Sequence, residues 1–187
     1  GGLAAAKARL EQGGVQLLDP PNQAAGDGLW FRDPDGALVN IRVAEAAPWR
    51  NGTELAFNYP NRYGRVATPG HPSRETKVQP RRLSHVLRFT PDIDRQIDFY
   101  TRLVGLKLSD RAQSIVAFLR SGEGDSDHHI LAFALSDRPG FHHASFEVGN
   151  LDELGLGGAR MIDKGYRDGW GFGRHVIGSN FFHYIRD

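Results

Sequence analysis

Histidine is where this sequence could do chemistry. Five of its eight histidines fall in two doublets and one triplet: His128-His129, His142-His143 and Gly173-Arg174-His175. The run Phe141-His142-His143-Ala144-Ser145-Phe146-Glu147-Val148 reads as a strand. A near-copy lies upstream at Leu83-Ser84-His85-Val86-Leu87-Arg88-Phe89-Thr90, and when the two are aligned His85 falls on His143. A single histidine at a strand start is ordinarily a satisfied polar group. Two at matched positions of a repeated strand invite one metal ion between them, because neutral imidazole is a common ligand for Fe, Zn and Cu. There is no cysteine, so thiolate sites and disulfides are excluded and any metal must use nitrogen and oxygen ligands.

The elements that must position these side chains come next. The chain has 187 residues, 40% hydrophobic and 24% charged, with a formal net charge of +1. That suits a soluble globular protein of one large domain, or one domain and part of another. The charge balance offers nothing to nucleic acid or an anionic membrane surface. No apolar run approaches the ~20 residues of a membrane span. No signal peptide is visible, and a cytoplasmic location is expected, although the N-terminus reads as cut rather than natural.

The chain opens on a helix-forming run to Gln12, stopped by Gly13-Gly14. A short strand at 15–18 is followed by a loop over 19–22. A hairpin then joins strands 29–32 and 37–43 through Asp33-Pro34-Asp35-Gly36. Residues 44–80 are polar, rich in Pro, Asn, Arg and Gly, and too long for a loop within a compact domain. The expected division is 1–55 as a partial, non-catalytic N-terminal domain, 56–80 as linker, and 81–187 as the metal-binding domain.

After the His85 strand, Thr90 is the expected N-cap and Pro91 the first helical residue. Ile93, Ile97, Tyr100 and Val104 recur at helical spacing, and Gly105 ends the helix. Strands follow at 106–108, 114–119 and 129–134. The strand at 141–148 restarts the pattern, with a helix from Asn150 to about Lys164. A Gly- and aromatic-rich loop over 165–173 precedes closing strands at His175 and at 180–186. Tyr184-Ile185-Arg186-Asp187 matches Trp30-Phe31-Arg32-Asp33 in kind, and the sequence stops where the following turn is expected.

These modules resemble the paired βαβββ units of the vicinal oxygen chelate superfamily: glyoxalases, fosfomycin and bleomycin resistance proteins, and type I extradiol ring-cleaving dioxygenases. The similarity is greatest to the extradiol enzymes. Leu83-Ser84-His85-Val86 resembles the family's first metal-ligand strand and the His143 strand resembles the second. Asp127-His128-His129-Ile130-Leu131-Ala132-Phe133 resembles the segment holding the distal catalytic histidine. Gly173-Arg174-His175, followed by Asn180 to Asp187, resembles the C-terminal signature with a substrate-binding His and Tyr. The resemblance implies an α+β fold of repeated βαβββ modules, with cupped mixed sheets and helices outside.

It also implies roles. His85 and His143 are metal ligands for Fe(II) or Mn(II). The third ligand, a Glu, is expected beyond Asp187, seven residues after it in the family pattern. Asn40 holds the corresponding place in the first module, as suits a module without metal. Some relatives carry Asp where this chain has Gly178. His129 is the acid–base group for the catechol proton. His175, Tyr184 and Asn180 contact the substrate, His175 and Tyr184 also serving catalysis. The expected partners are an aromatic diol and O2, with a homo-oligomer as the assembly and neither nucleic acid nor membrane involved.

Alternation puts Ser145 and Glu147 on the His143 face, with Ala144, Phe146 and Val148 toward the helices. Glu147 lies about 13 Å along the strand from His143 and is too far to share its ion. By the same alternation His128, His142 and His183 face away from the cavity, and His71 is exposed in the connector. Trp170, Phe172 and Phe181 could wall an aromatic pocket or simply pack a core. Two other functions stay open: a non-redox metalloenzyme of the glyoxalase or resistance type, and a metal-free small-molecule binding protein.

Overall fold

In the computed structural model the described residues are 2–22, 26–45, 58–64, 66–67, 77–122 and 124–187. His71 and about half of the expected linker lie outside them. The chain divides into two compact units. One comprises residues 1–47 and 84–145, the other 48–83 and 146–187.

The first unit is built on a five-stranded sheet. Its strands are β5 (Arg82–Thr90), β6 (Lys107–Ala112), β7 (Val116–Arg120), β8 (Leu131–Leu135) and β9 (Gly140–Glu147), in the order β6-β7-β8-β5-β9. β5 runs parallel to β8, with Val86 opposite Leu131, whereas β6, β7 and β8 pair antiparallel. A parallel partner requires a crossover. Here it is α2 (Ile93–Asp98), continued as a π-helical turn over Phe99–Val104, together with the β6–β7 hairpin. The unit strand–helix–three strands is therefore present as the sequence predicts, and the α+β class with it.

Two ends differ from expectation. Asp92, not Thr90, caps α2, its carboxylate accepting from the Arg95 amide at 3.0 Å. Thr90 instead turns its hydroxyl back to the Asp92 amide at 3.2 Å, so proline sits ahead of the cap rather than inside the helix. β8 begins at Leu131, which leaves His129 just before the strand rather than within it. Gly105 ends the helical segment in the left-handed conformation, φ +97°, as predicted.

The N-terminal segment packs onto this sheet's helix. α1 (Gly2–Gln12) and the hairpin of β1 (Leu29–Arg32) and β2 (Leu38–Ile41) contribute Leu10 and Phe31. These join Ile93, Phe99, Tyr100, Leu103, Ala117, Leu119 and Phe133 in one core. Each large side chain taken fully from water is worth roughly 1.5–3 kcal/mol. The expected strand at 15–18 is reduced to a single bridge from Leu18 to Trp30.

Beneath this core lies a buried charge cluster. Asp33 closes the β1–β2 turn by accepting from the amides of Asp35 at 3.1 Å and Ala37 at 2.9 Å. Its other oxygen accepts from the Tyr100 hydroxyl at 3.1 Å and from the Arg88 guanidinium. The Asp33 side chain is 0% exposed. Burial, and then the Asp33 charge, push the Tyr100 pKa well up, so this hydroxyl remains a donor.

In the second unit, α3 (Leu151–Asp163) is capped by Asn150, which accepts from the Glu153 amide at 2.9 Å. Glu153 in turn accepts from the amide of Gly149, the residue before the cap, at 2.6 Å. β10 (Gly171–Arg174) pairs antiparallel with β11 (Phe181–Tyr184), so the expected loop over 165–173 is already strand from Gly171. A two-residue hairpin, β3 (Asn58–Tyr59) and β4 (Arg62–Tyr63), interrupts the expected linker. Among the described residues no helix is long and apolar enough to cross a membrane.

Candidate active site

Strand alternation separates two kinds of side chain on the sheet. On β7, Ala117 and Leu119 are in the core, so Phe118 between them points to the opposite face. On β5, Arg88 reaches the charge cluster on the helix side, so His85, three residues earlier, belongs to the Phe118 face. There the histidines gather. His85 is 7% exposed and His129 is 9% exposed. Their ring centroids are 4.3 Å apart, and Phe118 lies edge-on to His129 at 4.9 Å.

His143 meets His85 edge-on, and their Nε2 atoms lie 3.1 Å apart. Two metal–imidazole bonds of about 2.1 Å at a right angle would separate the two nitrogens by about 3.0 Å. The pair thus fits the neighbouring positions of one divalent ion with little movement. Among the described residues no group of three His, Cys, Asp or Glu is arranged to hold a metal. Glu147 is engaged by Arg82, whose Nε donates to it at 2.7 Å. Phe146, expected toward the helices, is 59% exposed.

The first histidine of each doublet has a contact that alternation does not foresee. His142 and His143 bring their Nδ1 atoms to 2.9 Å, and His128 and His129 bring theirs to 3.0 Å. Nδ1 is bonded to Cγ and stays near the main chain, so neighbours can meet there even when their rings diverge. For His143 the contact matters, since a ligating imidazole normally hydrogen-bonds through its other nitrogen. The doublets themselves were the available signal for these partners.

The second unit holds the remaining candidates. Across β10–β11, Gly173 pairs with Phe182, and a Cβ at Gly173 would come within 2.6 Å of that ring. The glycine therefore permits the close hairpin that brings His175 and Tyr184 together. His175 Nε2 lies 3.3 Å from the Tyr184 hydroxyl, and the His175 ring packs on Phe182 at 4.1 Å. Burial lowers the His175 pKa and raises that of Tyr184, so both are neutral near pH 7. Asn180 joins through its main chain, its carbonyl accepting from the His175 amide at 3.0 Å. His183 packs on α3, where a Cβ at Gly158 would lie 2.3 Å from its ring. Trp170 is 70% exposed and packs beside Tyr184, while Phe172 stacks on Phe181.

Comparison with known proteins bears on this arrangement. Over the whole chain, 40% of residues are identical to Metapyrocatechase 2 of Cupriavidus necator, of which the match covers 58%. Biphenyl-2,3-diol 1,2-dioxygenase of Metapseudomonas furukawaii is 27% identical over 81% of this chain and 52% of that protein. The chain thus spans a little over half the length of these curated relatives. The fold is also that of the Mn(II)-bound glyoxalase from Novosphingobium aromaticivorans, at a TM-score of 0.68 and 24% identity over 98% of this chain and 54% of that one. Residues 82–187, which carry every histidine but His71, match the family model, and the chain belongs to the Glyoxalase/Bleomycin resistance protein/Dioxygenase superfamily.

Proposed function

We propose that the protein is a metal-dependent extradiol dioxygenase that opens a catecholic ring with O2. The observation that carries this is the meeting of His85 and His143 at their Nε2 atoms beside the buried ring of His129. It is found in a chain 40% identical to a metapyrocatechase. His85 and His143 would hold Fe(II) or Mn(II), with a Glu beyond Asp187 as third ligand by the family resemblance. When bound, the metal brings catecholate and dioxygen together and passes electrons between them.

The protein's own groups do the rest. His129, shielded from water by Phe118 and His85, takes the catechol proton and returns one to the opened product. His175, kept neutral by burial, accepts a hydrogen bond from a substrate hydroxyl, and Tyr184, kept protonated, donates one to substrate oxygen. Asn180 supports that contact. Residues 1–55 are proposed as the end of a non-catalytic module, joined through 56–80 to the catalytic one. A cytoplasmic homo-oligomer is the expected form.

The test is direct. Protein that continues past Asp187, loaded with Fe(II) or Mn(II), is given catechol and its 3- and 4-substituted forms in air. A yellow, conjugated ring-opened product with matching O2 uptake is expected. Metal-loaded protein that consumes no O2 with any of them would return the site to non-redox or binding functions.

A further inference from the structure

We infer that His128, held by Asp110, is a positioning residue that sets the tautomer of His129 and leaves its Nε2 as the proton-accepting nitrogen. This rests on the acid–base role proposed for His129 and adds the device that prepares it.

A neutral imidazole has one N–H donor and one acceptor nitrogen. His128 and His129 meet Nδ1 to Nδ1 at 3.0 Å, so one of these atoms must donate and the other accept. Asp110 decides which. Its Oδ2 lies 3.7 Å from His128 Nε2, a spacing over which the carboxylate attracts the N–H dipole. That attraction favours a hydrogen on His128 Nε2. His128 Nδ1 is then the acceptor, and His129 Nδ1 carries the hydrogen it receives. The second nitrogen of a histidine is fixed by the bond the first one makes, so His129 Nε2 becomes the acceptor. That is the tautomer a general base requires. Neutral histidine in water favours the opposite one, so the arrangement does something the residue would not do alone.

The fold supplies the contact deliberately. The β6–β7 register shifts between Leu108 and Asp110, which sets Asp110 opposite Phe118. Such bulges re-aim a side chain. Phe118 then touches both rings, at 5.5 Å to His128 and 4.9 Å to His129. His128 and Asp110 are partly exposed, at 31% and 47% of their side chains, so replacing them need not disturb the core.

The experiment reads the tautomer itself. The metal-free 187-residue chain is labelled with 15N-histidine, and long-range 1H–15N correlations are recorded at about pH 8, above the ordinary histidine range. His129 is expected with its hydrogen on Nδ1. In His128→Phe it should revert mainly to Nε2–H, in Asp110→Ala it should shift part of the way, and in His128→Asn the amide oxygen should restore Nδ1–H. Wild-type His129 already in the Nε2–H form overturns the inference, as does an unchanged Nδ1–H form in both His128→Phe and Asp110→Ala. A second arm uses metal-loaded protein continuing past Asp187, where His128→Phe should lower kcat about tenfold or more at unchanged KM. Wild-type kcat in His128→Phe overturns the inference. If the parent protein cleaves no catechol while the tautomer result holds, the proposed reaction fails and the Asp110–His128–His129 arrangement stands.

Discussion

The two faces of β5 carry two buried polar clusters of opposite character. On the helix side, Arg88 is matched by Asp33, and Asp33 by two turn amides and the Tyr100 hydroxyl. Every oxygen of that carboxylate has a donor, so the cluster is complete within the chain. On the other side, the His85 and His129 rings pack at 4.3 Å, while His85 meets His143 nitrogen to nitrogen and His129 and His143 each meet their doublet neighbour in the same way. Each such contact requires one ring to donate and the other to accept, and two Nε2 atoms face across 3.1 Å. A set of satisfied charges holds a structure together. A set of imidazoles with ring nitrogens turned toward one another offers a cation its ligands. The difference assigns stability to one face and, under the proposed function, chemistry to the other.

The comparison breaks most sharply at the metal pair. In protein continuing past Asp187, His85→Ala and His143→Ala should each abolish retained metal, because the loss of one of three ligands leaves an incomplete chelate. Stoichiometric metal in both variants, measured by elemental analysis, would overturn the assignment. Next is His129→Gln, which should keep metal and anaerobic catechol binding while kcat drops by about 10²–10⁴-fold. Binding with an unchanged kcat would show the ring to be structural.

On the helix face the readout is stability. Asp33→Ala leaves a buried guanidinium uncompensated and should cost roughly 3–5 kcal/mol by urea denaturation. In the metal-free chain His85→Ala should cost only about 1 kcal/mol, the worth of an ordinary hydrogen bond. Equal losses from the two substitutions would erase the distinction between the faces.

Much of this was legible in the sequence. The repeat of His85 on His143, the alternating strands and the Gly105 stop depend on local pattern alone. The βαβββ order follows from hydrophobic period and turn residues, which act within a few positions of themselves. The Thr90 cap failed because Asp92 offers a carboxylate two residues later, and the two candidates differ by only a local hydrogen bond. The contacts that His128 and His142 make with their neighbours were not legible for a different reason. Alternation fixes where a Cβ points, not where a ring nitrogen two bonds further on can reach.

The sequence by itself determined which residues could do the chemistry, because imidazoles matched across a repeat and spaced along strands are properties of the chain. The tertiary structure decided their partners. Asp33 and Arg88 are 55 residues apart, and no periodicity connects a turn carboxylate to a strand guanidinium. Asp110 reaches His128 only because a bulge in β6 shifts the register by which the two strands pair. Such contacts are set by how strands align across a sheet, a property of the folded molecule that no single stretch of sequence carries.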